Sequence, residues 1–166
     1  MLALGLMVTA VITDLSTQRV PNELIVLGII TGGYFQLSQY GPWGGLVLLV
    51  NILIPFLIMY VIYRIGGIGA GDVKLMMALS AIIGFKAILP IMIYSTFVAG
   101  LYALIDLIRS KQLIYRVGLF TRHIGICVSE RKIYLYNPVD KEVTEIHFTL
   151  CMLCAYVIWI VKEGVM

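Results

Sequence analysis

The sequence has few charged residues. Lys, Arg, Asp and Glu make up 13% of its 166 residues, and hydrophobic residues make up 61%. Soluble domains usually contain about 25% charged and about 45–50% apolar residues. A chain of this length leaves roughly a third of its unfolded surface exposed after folding, so a soluble fold could not hide so much apolar surface. The composition excludes a large soluble domain and predicts a protein that folds in a lipid bilayer.

Cysteine is also scarce. Cys127, Cys151 and Cys154 are too few and too unevenly placed for a disulfide framework. The net charge of +3 is small, and in a membrane protein it reports on orientation, so nucleic acid is not an expected partner. The first apolar stretch, Leu2 to Ile12, lacks the preceding positive segment of a secretory signal, and we interpret it as a retained helix.

Hydropathy predicts an all-α integral membrane protein, with residues 1–166 forming one membrane-embedded domain. Six apolar segments give six predicted transmembrane helices, at about 2–15, 23–38, 43–65, 72–85, 87–108 and 148–161. The first and fourth segments are short. A short helix can continue through polar residues that face the protein interior, so we expect Asp14 and Asp72 to lie within helices.

The basic residues predict the orientation in the membrane. Nine of them fall in loops one, three and five, and two fall on the other side; the nine are Arg19, Arg64, Arg109, Lys111, Arg116, Arg122, Arg131, Lys132 and Lys141, and the two are Lys86 and Lys162. We therefore expect those three loops in the cytoplasm, both termini outside, and the chain in the inner (cytoplasmic) membrane.

The fifth loop, about 109–147, is the only sizeable segment predicted to lie outside the membrane. Apolar and polar residues alternate from Lys132 to Phe148 around the turn at Asn137-Pro138. This pattern fits either a small β-hairpin or an amphipathic segment on the headgroup surface, where basic residues would contact anionic lipid.

Three acids near or within predicted spans are candidates for function, because ionisable groups are costly there. Asp106 lies three residues before Arg109, and an ion pair between them on the helix surface is enough to explain an acid at this position. Asp14 ends the first segment and Asp72 opens the fourth, both at the predicted cytoplasmic face. Two neighbouring carboxylates can share one proton and act as an acid–base pair. The alternative is that each acid only caps its helix.

Glycines around Asp72 favour the catalytic interpretation. Gly66, Gly67, Gly69 and Gly71 are four glycines in six residues, whereas a plain helix start needs only one capping residue. Such a segment allows an extended peptide to lie close to the backbone beside the carboxylate. Lys74, two residues after Asp72, is interpreted as a side chain that extends to the membrane interface.

Two motifs resemble those of a known family. Gly69-Ala70-Gly71-Asp72 matches the GxGD signature of intramembrane aspartyl proteases, and the following Val73-Lys74-Leu75 resembles the prepilin peptidase family. The stretch from Asp14 through Arg19 to Val20-Pro21-Asn22 looks like that family's other motif, in which an Asp ends the first core helix. The resemblance is good over about residues 9–84.

The resemblance implies a membrane aspartyl endopeptidase that removes the leader peptide of type IV prepilin-like or pseudopilin precursors at the cytoplasmic face. It implies Asp14 and Asp72 as the catalytic pair, with no metal and no cofactor. Gly69 and Gly71 would shape the site, and Arg19, Pro21 and Asn22 would have structural roles; a proline suits a helix start. Larger members carry an additional cytoplasmic methyltransferase domain with Cys-x-x-Cys motifs, which is missing here, so the compact form is expected.

Other interpretations of these residues compete with the protease. A small transporter or channel would use Asp14, Asp72 and Asp106 as a cation pathway, and a non-catalytic scaffold would use none of them. His147, Cys151 and Cys154 share a helical face and could resemble zinc ligands, but one straight helix rarely supplies three, so packing cysteines are favoured. The pairs Gly32-Gly33 and Gly44-Gly45 are expected to serve close helix packing or turns.

Overall fold

The computed structural model describes residues 2–109 and 147–164, with positions 118, 121, 122 and 125 between them. Within these residues the chain is helical and has no strand, which confirms the all-α class for the described part. The predicted hairpin or amphipathic segment, up to residue 146, lies outside it. The chain divides into two units, Met1–Ala99 with His147–Met166, and Gly100–Ile146. All packing discussed below belongs to the first unit.

In the ranges 2–109 and 147–164, six α-helices and one short 3₁₀ helix follow the predicted apolar segments closely. The helices are α1 (Leu2–Thr17), α2 (Asn22–Tyr40), α3 (Gly44–Arg64), α4 (Ala70–Ile83), α5 (Phe85–Arg109) and α6 (Phe148–Glu163), and the 3₁₀ helix is Gly41–Trp43. Both short segments extend through their acids, because α1 includes Asp14 and α4 includes Asp72. The expectation that these carboxylates lie within helices is confirmed.

Local sequence explains where the helices begin and end. Pro21 precedes α2 in extended conformation, with φ −60° and ψ 136°, so that the first motif forms a turn between α1 and α2. Gly84 separates α4 from α5 at φ 84°, a left-handed conformation that glycine adopts without steric cost. The amide of Gly84 donates to the carbonyl of Ser80 and closes α4.

The outer faces of the helices are apolar, as a lipid environment requires. Leu46, Leu49, Leu53 and Leu57 form an exposed stripe along α3, at the spacing of one helical face. Two helical stretches, Asn22–Arg64 and Phe85–Arg109, are long and apolar enough to cross a membrane. The helices α1, α4 and α6 have 16, 14 and 16 residues, fewer than the about 20 of a typical span, so six complete spans stay a prediction.

Small residues allow α4 to lie close to α2. A Cβ added at Gly32 would lie 2.5 Å from the backbone carbon of Ala81, and one added at Gly28 would lie 3.0 Å from the Cβ of Ala78. Gly44, at the start of α3, faces the backbone of Gln36 equally closely. Such contacts are typical of helix packing in membranes, and they support the packing interpretation of Gly32 and Gly44.

Neutral polar side chains join four helices, α2 to α5, at the C-terminal end of α4. The buried Gln36 of α2 donates from Nε2 to the carbonyl of Ala81 at 3.3 Å. Asn51 of α3 accepts twice, at its carbonyl from the Ser80 hydroxyl and at Oδ1 from the amide of Phe85 at 3.1 Å. Because Gln36, Asn51 and Ser80 all have partners, their burial carries little penalty.

The other end of α4 lies near the ends of α1 and α6. Helix α1 packs against α6 and α4, over a core that includes the fully buried Met7, Leu75, Met76, Leu79 and Met152. Two hydrogen bonds join the last turn of α1 to the first residues of α6. This packing brings the C-terminal turn of α1 and the N-terminal turns of α4 and α6 to one end of the bundle, which carries the acids.

Candidate active site

Asp14 lies at the end of α1 where a negative charge is least favourable. The C-terminal turn of a helix carries partial negative charge, so a carboxylate there is destabilised by its own helix. The backbone of Asp14 is part of the helix, and its carbonyl accepts a hydrogen bond from the Gln18 amide at 2.8 Å. A simple capping role, which the sequence left open, therefore does not explain Asp14.

The N-terminal residues of α6 compensate for this position. The Thr149 hydroxyl donates to Oδ2 of Asp14 at 2.7 Å, and Nδ1 of His147 lies 3.2 Å from the same oxygen. Thr149 is fully buried, and the side chains of Asp14 and His147 are 14% and 34% exposed. The Asp14 carboxylate is therefore held by another helix and still reaches solvent.

Asp72 lies in the first turn of α4, where a negative charge is favourable. Its Oδ2 accepts the backbone amide of Gly69 at 3.2 Å, so this carboxylate does cap its own helix. A Cβ on Gly69 would lie 3.1 Å from that oxygen, so a side chain at this position would crowd the carboxylate. The capping bond uses one carboxylate oxygen and leaves the other for further contacts.

The two acids of the two motifs interact with each other. Asp14 and His147 both lie close enough to Asp72 to act electrostatically on its carboxylate, and Asp14, as a like charge, repels it. Both acids are half-buried, so their mutual repulsion is less screened than it would be in water. Two acids whose charges repel each other are easier to charge once than twice.

The remaining motif residues connect the two sequence motifs. Nζ of Lys74 donates to Oδ1 of Asn22 at 3.1 Å and joins the start of α2 to the first turn of α4. Gly71 faces Val20 of the turn before α2, at 3.8 Å from the position of an added Cβ. The extension of Lys74 to the interface stays a prediction, but its ammonium group has a definite partner on the protein.

The other sequence candidates lie around this centre or away from it. Arg19 is exposed on the turn after α1. Cys151 is buried and close enough to interact electrostatically with Asp72, whereas Cys154 is exposed. In the part of the chain that the structure describes, no three His, Cys, Asp or Glu side chains are grouped as metal ligands. Asp106 lies near the end of α5, outside the first unit.

Sequence reasoning missed the contacts of His147 and Thr149 with Asp14. The sequence groups His147 only with the two cysteines that follow it at helical spacing, and no pattern distinguishes Thr149. One indication was available, because the orientation predicted from basic residues puts the start of the last segment on the same membrane face as Asp14 and Asp72. Which residues of that face meet, however, depends on helix packing across more than 130 positions of chain.

A comparison with protein families gave one match. The model of the type IV leader peptidase family matches residues 1–104, a range that contains both sequence motifs and helices α1 to α4. No curated protein and no solved structure gave a significant match.

Proposed function

The chain belongs to the type IV leader peptidase family, and from this premise we propose that it is an aspartyl endopeptidase whose catalytic pair is Asp14 and Asp72. Family membership makes it a membrane leader peptidase that acts on type IV prepilins, and it does not favour a transporter, a channel or a scaffold. The proposal adds the mechanism and the residues. The observation that carries it is that helix packing brings the two motif carboxylates to one end of the bundle, where both are half-buried and repel each other.

In the proposed mechanism the two acids share one proton. The ionised carboxylate removes a proton from water, and the water oxygen attacks the scissile carbonyl carbon. The neutral acid donates a hydrogen bond to the carbonyl oxygen and stabilises the charge that develops there. When the tetrahedral intermediate collapses, the C–N bond breaks and the leaving amine receives a proton from the pair. The pair then holds one proton again.

The surroundings of Asp72 suit an extended substrate. A helical peptide already uses its carbonyls in hydrogen bonds, so the cleaved segment has to unwind before attack. Gly66, Gly67 and Gly69 are all exposed just before α4, and a backbone without side chains lets a second strand approach closely. We propose that the residues around the scissile bond bind along this glycine segment, beside Asp72.

The proposed location follows from the basic residues. With loops one, three and five in the cytoplasm, the turn between α1 and α2 and the segment before α4 face the cytoplasm. The acid pair then lies at the cytoplasmic face of the inner membrane, where the basic leader of a precursor would remain. Lipid contacts would be made by exposed stripes such as that on α3.

The mechanism can be tested in cells that co-express a type IV prepilin precursor. We expect Asp14→Asn and Asp72→Asn, each alone, to abolish conversion of the precursor to the mature pilin, followed by immunoblotting. Asp106→Asn is the matched control, because it makes the same change at an acid outside the pair, and it should leave conversion unchanged. Normal conversion by either of the first two variants would show that the two-aspartate mechanism is wrong.

A further inference from the structure

Two side chains at the start of α6, Thr149 in its first turn and His147 just before it, lie against Asp14, outside both sequence motifs and beyond the residues matched by the family model. Both contact Oδ2, and Oδ1 accepts no hydrogen bond from the residues that the structure describes. We propose that Thr149 and His147 are positioning residues that fix the Asp14 carboxylate for catalysis, with Oδ2 anchored and Oδ1 directed to water or substrate. This inference rests on the proposed function of the Asp pair.

The behaviour of the other threonines shows that Thr149 is unusual. The hydroxyls of Thr9, Thr13, Thr31 and Thr96 donate to carbonyls one turn earlier in their own helices, which is the common arrangement for helical threonine. Thr149 instead donates to a carboxylate on a different helix, and it does so while fully buried. A buried hydroxyl bonded to a charged group is among the stronger protein hydrogen bonds.

His147 is placed for the same task. It is the residue that precedes α6, yet its side chain makes no capping bond to that helix; its backbone carbonyl accepts from the Leu150 amide at 3.1 Å. The helix start is therefore formed by the backbone, and the imidazole is directed to Asp14. The positive end of α6 adds to the same effect, because it faces a carboxylate that its own helix disfavours.

The geometry has a consequence for catalysis. A carboxylate with one anchored oxygen can rotate little, so its other oxygen stays at a fixed distance from the water it activates. Small losses of such alignment reduce the rate of the chemical step and leave substrate binding largely intact. Removing either anchor should therefore lower kcat and leave KM nearly unchanged.

The test uses purified full-length protein in detergent or lipid and a synthetic peptide that spans a prepilin cleavage site. We expect Thr149→Val and His147→Leu each to lower kcat about tenfold, with KM changed less than about twofold, since each removes a bond to a charged group. Thr149→Ser and His147→Asn keep a donor near the same place and should restore most of the activity. Thr31→Val, which removes a hydroxyl bonded within its own helix, is the control and should be neutral.

The outcomes separate this inference from the proposed function. If Asp14→Asn is inactive while Thr149→Val and His147→Leu retain full kcat, the positioning role is wrong and the catalytic pair stands. If Asp14→Asn cleaves normally, both are wrong. A loss in Thr149→Val that Thr149→Ser does not restore, together with a lower melting temperature, would show a merely structural role. Should Thr149→Val not accumulate, Thr149→Cys replaces it in the same comparison.

Discussion

The two ends of α4 hold polar groups against neighbouring helices in different ways. At the C-terminal end, Gln36, Asn51 and Ser80 are neutral and deeply buried, and the described bonds of their side chains each join two helices. At the N-terminal end, Asp14 and Asp72 are acidic and half-buried, and they repel each other. Neutral, fully paired groups fix the arrangement of helices, whereas carboxylates placed together at a water-accessible edge can exchange protons.

The same difference bears on how functional candidates are chosen from the polar residues of apolar segments. A rule that treats every polar residue in an apolar segment as functional would select Asn51 and Gln36 as readily as Asp72. Charge and partial exposure separate the two groups, and glycine has a different task at each end. Gly32 lets two backbones meet near Ala81, and Gly69 leaves room for the carboxylate of Asp72.

The largest effect on folding is expected at the C-terminal end. Gly32→Leu would push α2 away from the backbone of Ala81 and should destabilise the fold by about 3 kcal/mol, so little folded protein would accumulate. Gly45→Leu is the matched control, because a Cβ there meets nothing within 4 Å. Thermal unfolding in detergent measures the difference. Equal melting temperatures for the two variants would contradict the close packing of α2 on α4.

A smaller effect, on activity rather than folding, is expected at the N-terminal end. The added methyl group of Gly69→Ala would crowd Oδ2 of Asp72 at 3.1 Å and should lower the cleavage rate about tenfold. Gly5→Ala, outside both motifs, adds a methyl group that meets nothing within 4 Å and should cleave at nearly the normal rate. Peptide cleavage and melting temperature, measured together, test this pair. A normal rate for Gly69→Ala would show that Asp72 does not need that space.

The smallest effect is expected for Lys74. Its bond to Asn22 lies on the exposed surface, where such contacts contribute about 0.2–1 kcal/mol. Lys74→Met should therefore lower the melting temperature slightly and keep most of the peptide-cleaving activity. Lys86→Met, at an exposed position of α5, is the control and should behave in much the same way. A loss of activity by orders of magnitude in Lys74→Met alone would instead give Lys74 a part in the reaction.

Much of the fold was predictable because short local sequences set the helix boundaries. Pro21-Asn22, Gly69 and Gly84 mark helix boundaries, and the apolar runs between them are unambiguous. The family was predictable from two short motifs and is confirmed by the match over residues 1–104. The inclusion of Asp14 in α1 and of Asp72 in α4 followed from the argument that polar residues continue a short helix when they face the interior.

The rest depended on contacts that no local pattern records. Thr149 looks like any helical threonine until α6 is packed against α1. His147 looks like a partner of Cys151 in the sequence because it stands four residues before it, at the spacing of one helical face. In the same way, the role of Asn51 as a hydrogen-bond acceptor is visible only in the structure, where α4 and the start of α5 lie beside α3. Helical periodicity predicts which residues share a face, and packing decides what each face meets.

The central claim is that Asp14 and Asp72 act as one unit on the scissile bond. The most direct measurement is single-turnover cleavage of a prepilin by purified protein in lipid vesicles, with the products identified by mass spectrometry. Asp14→Asn and Asp72→Asn should each lower the rate by at least about a thousandfold, and the double variant should be no slower than either, as for residues that work together. Near-normal cleavage by either single variant, or losses that multiply in the double variant, would contradict the account.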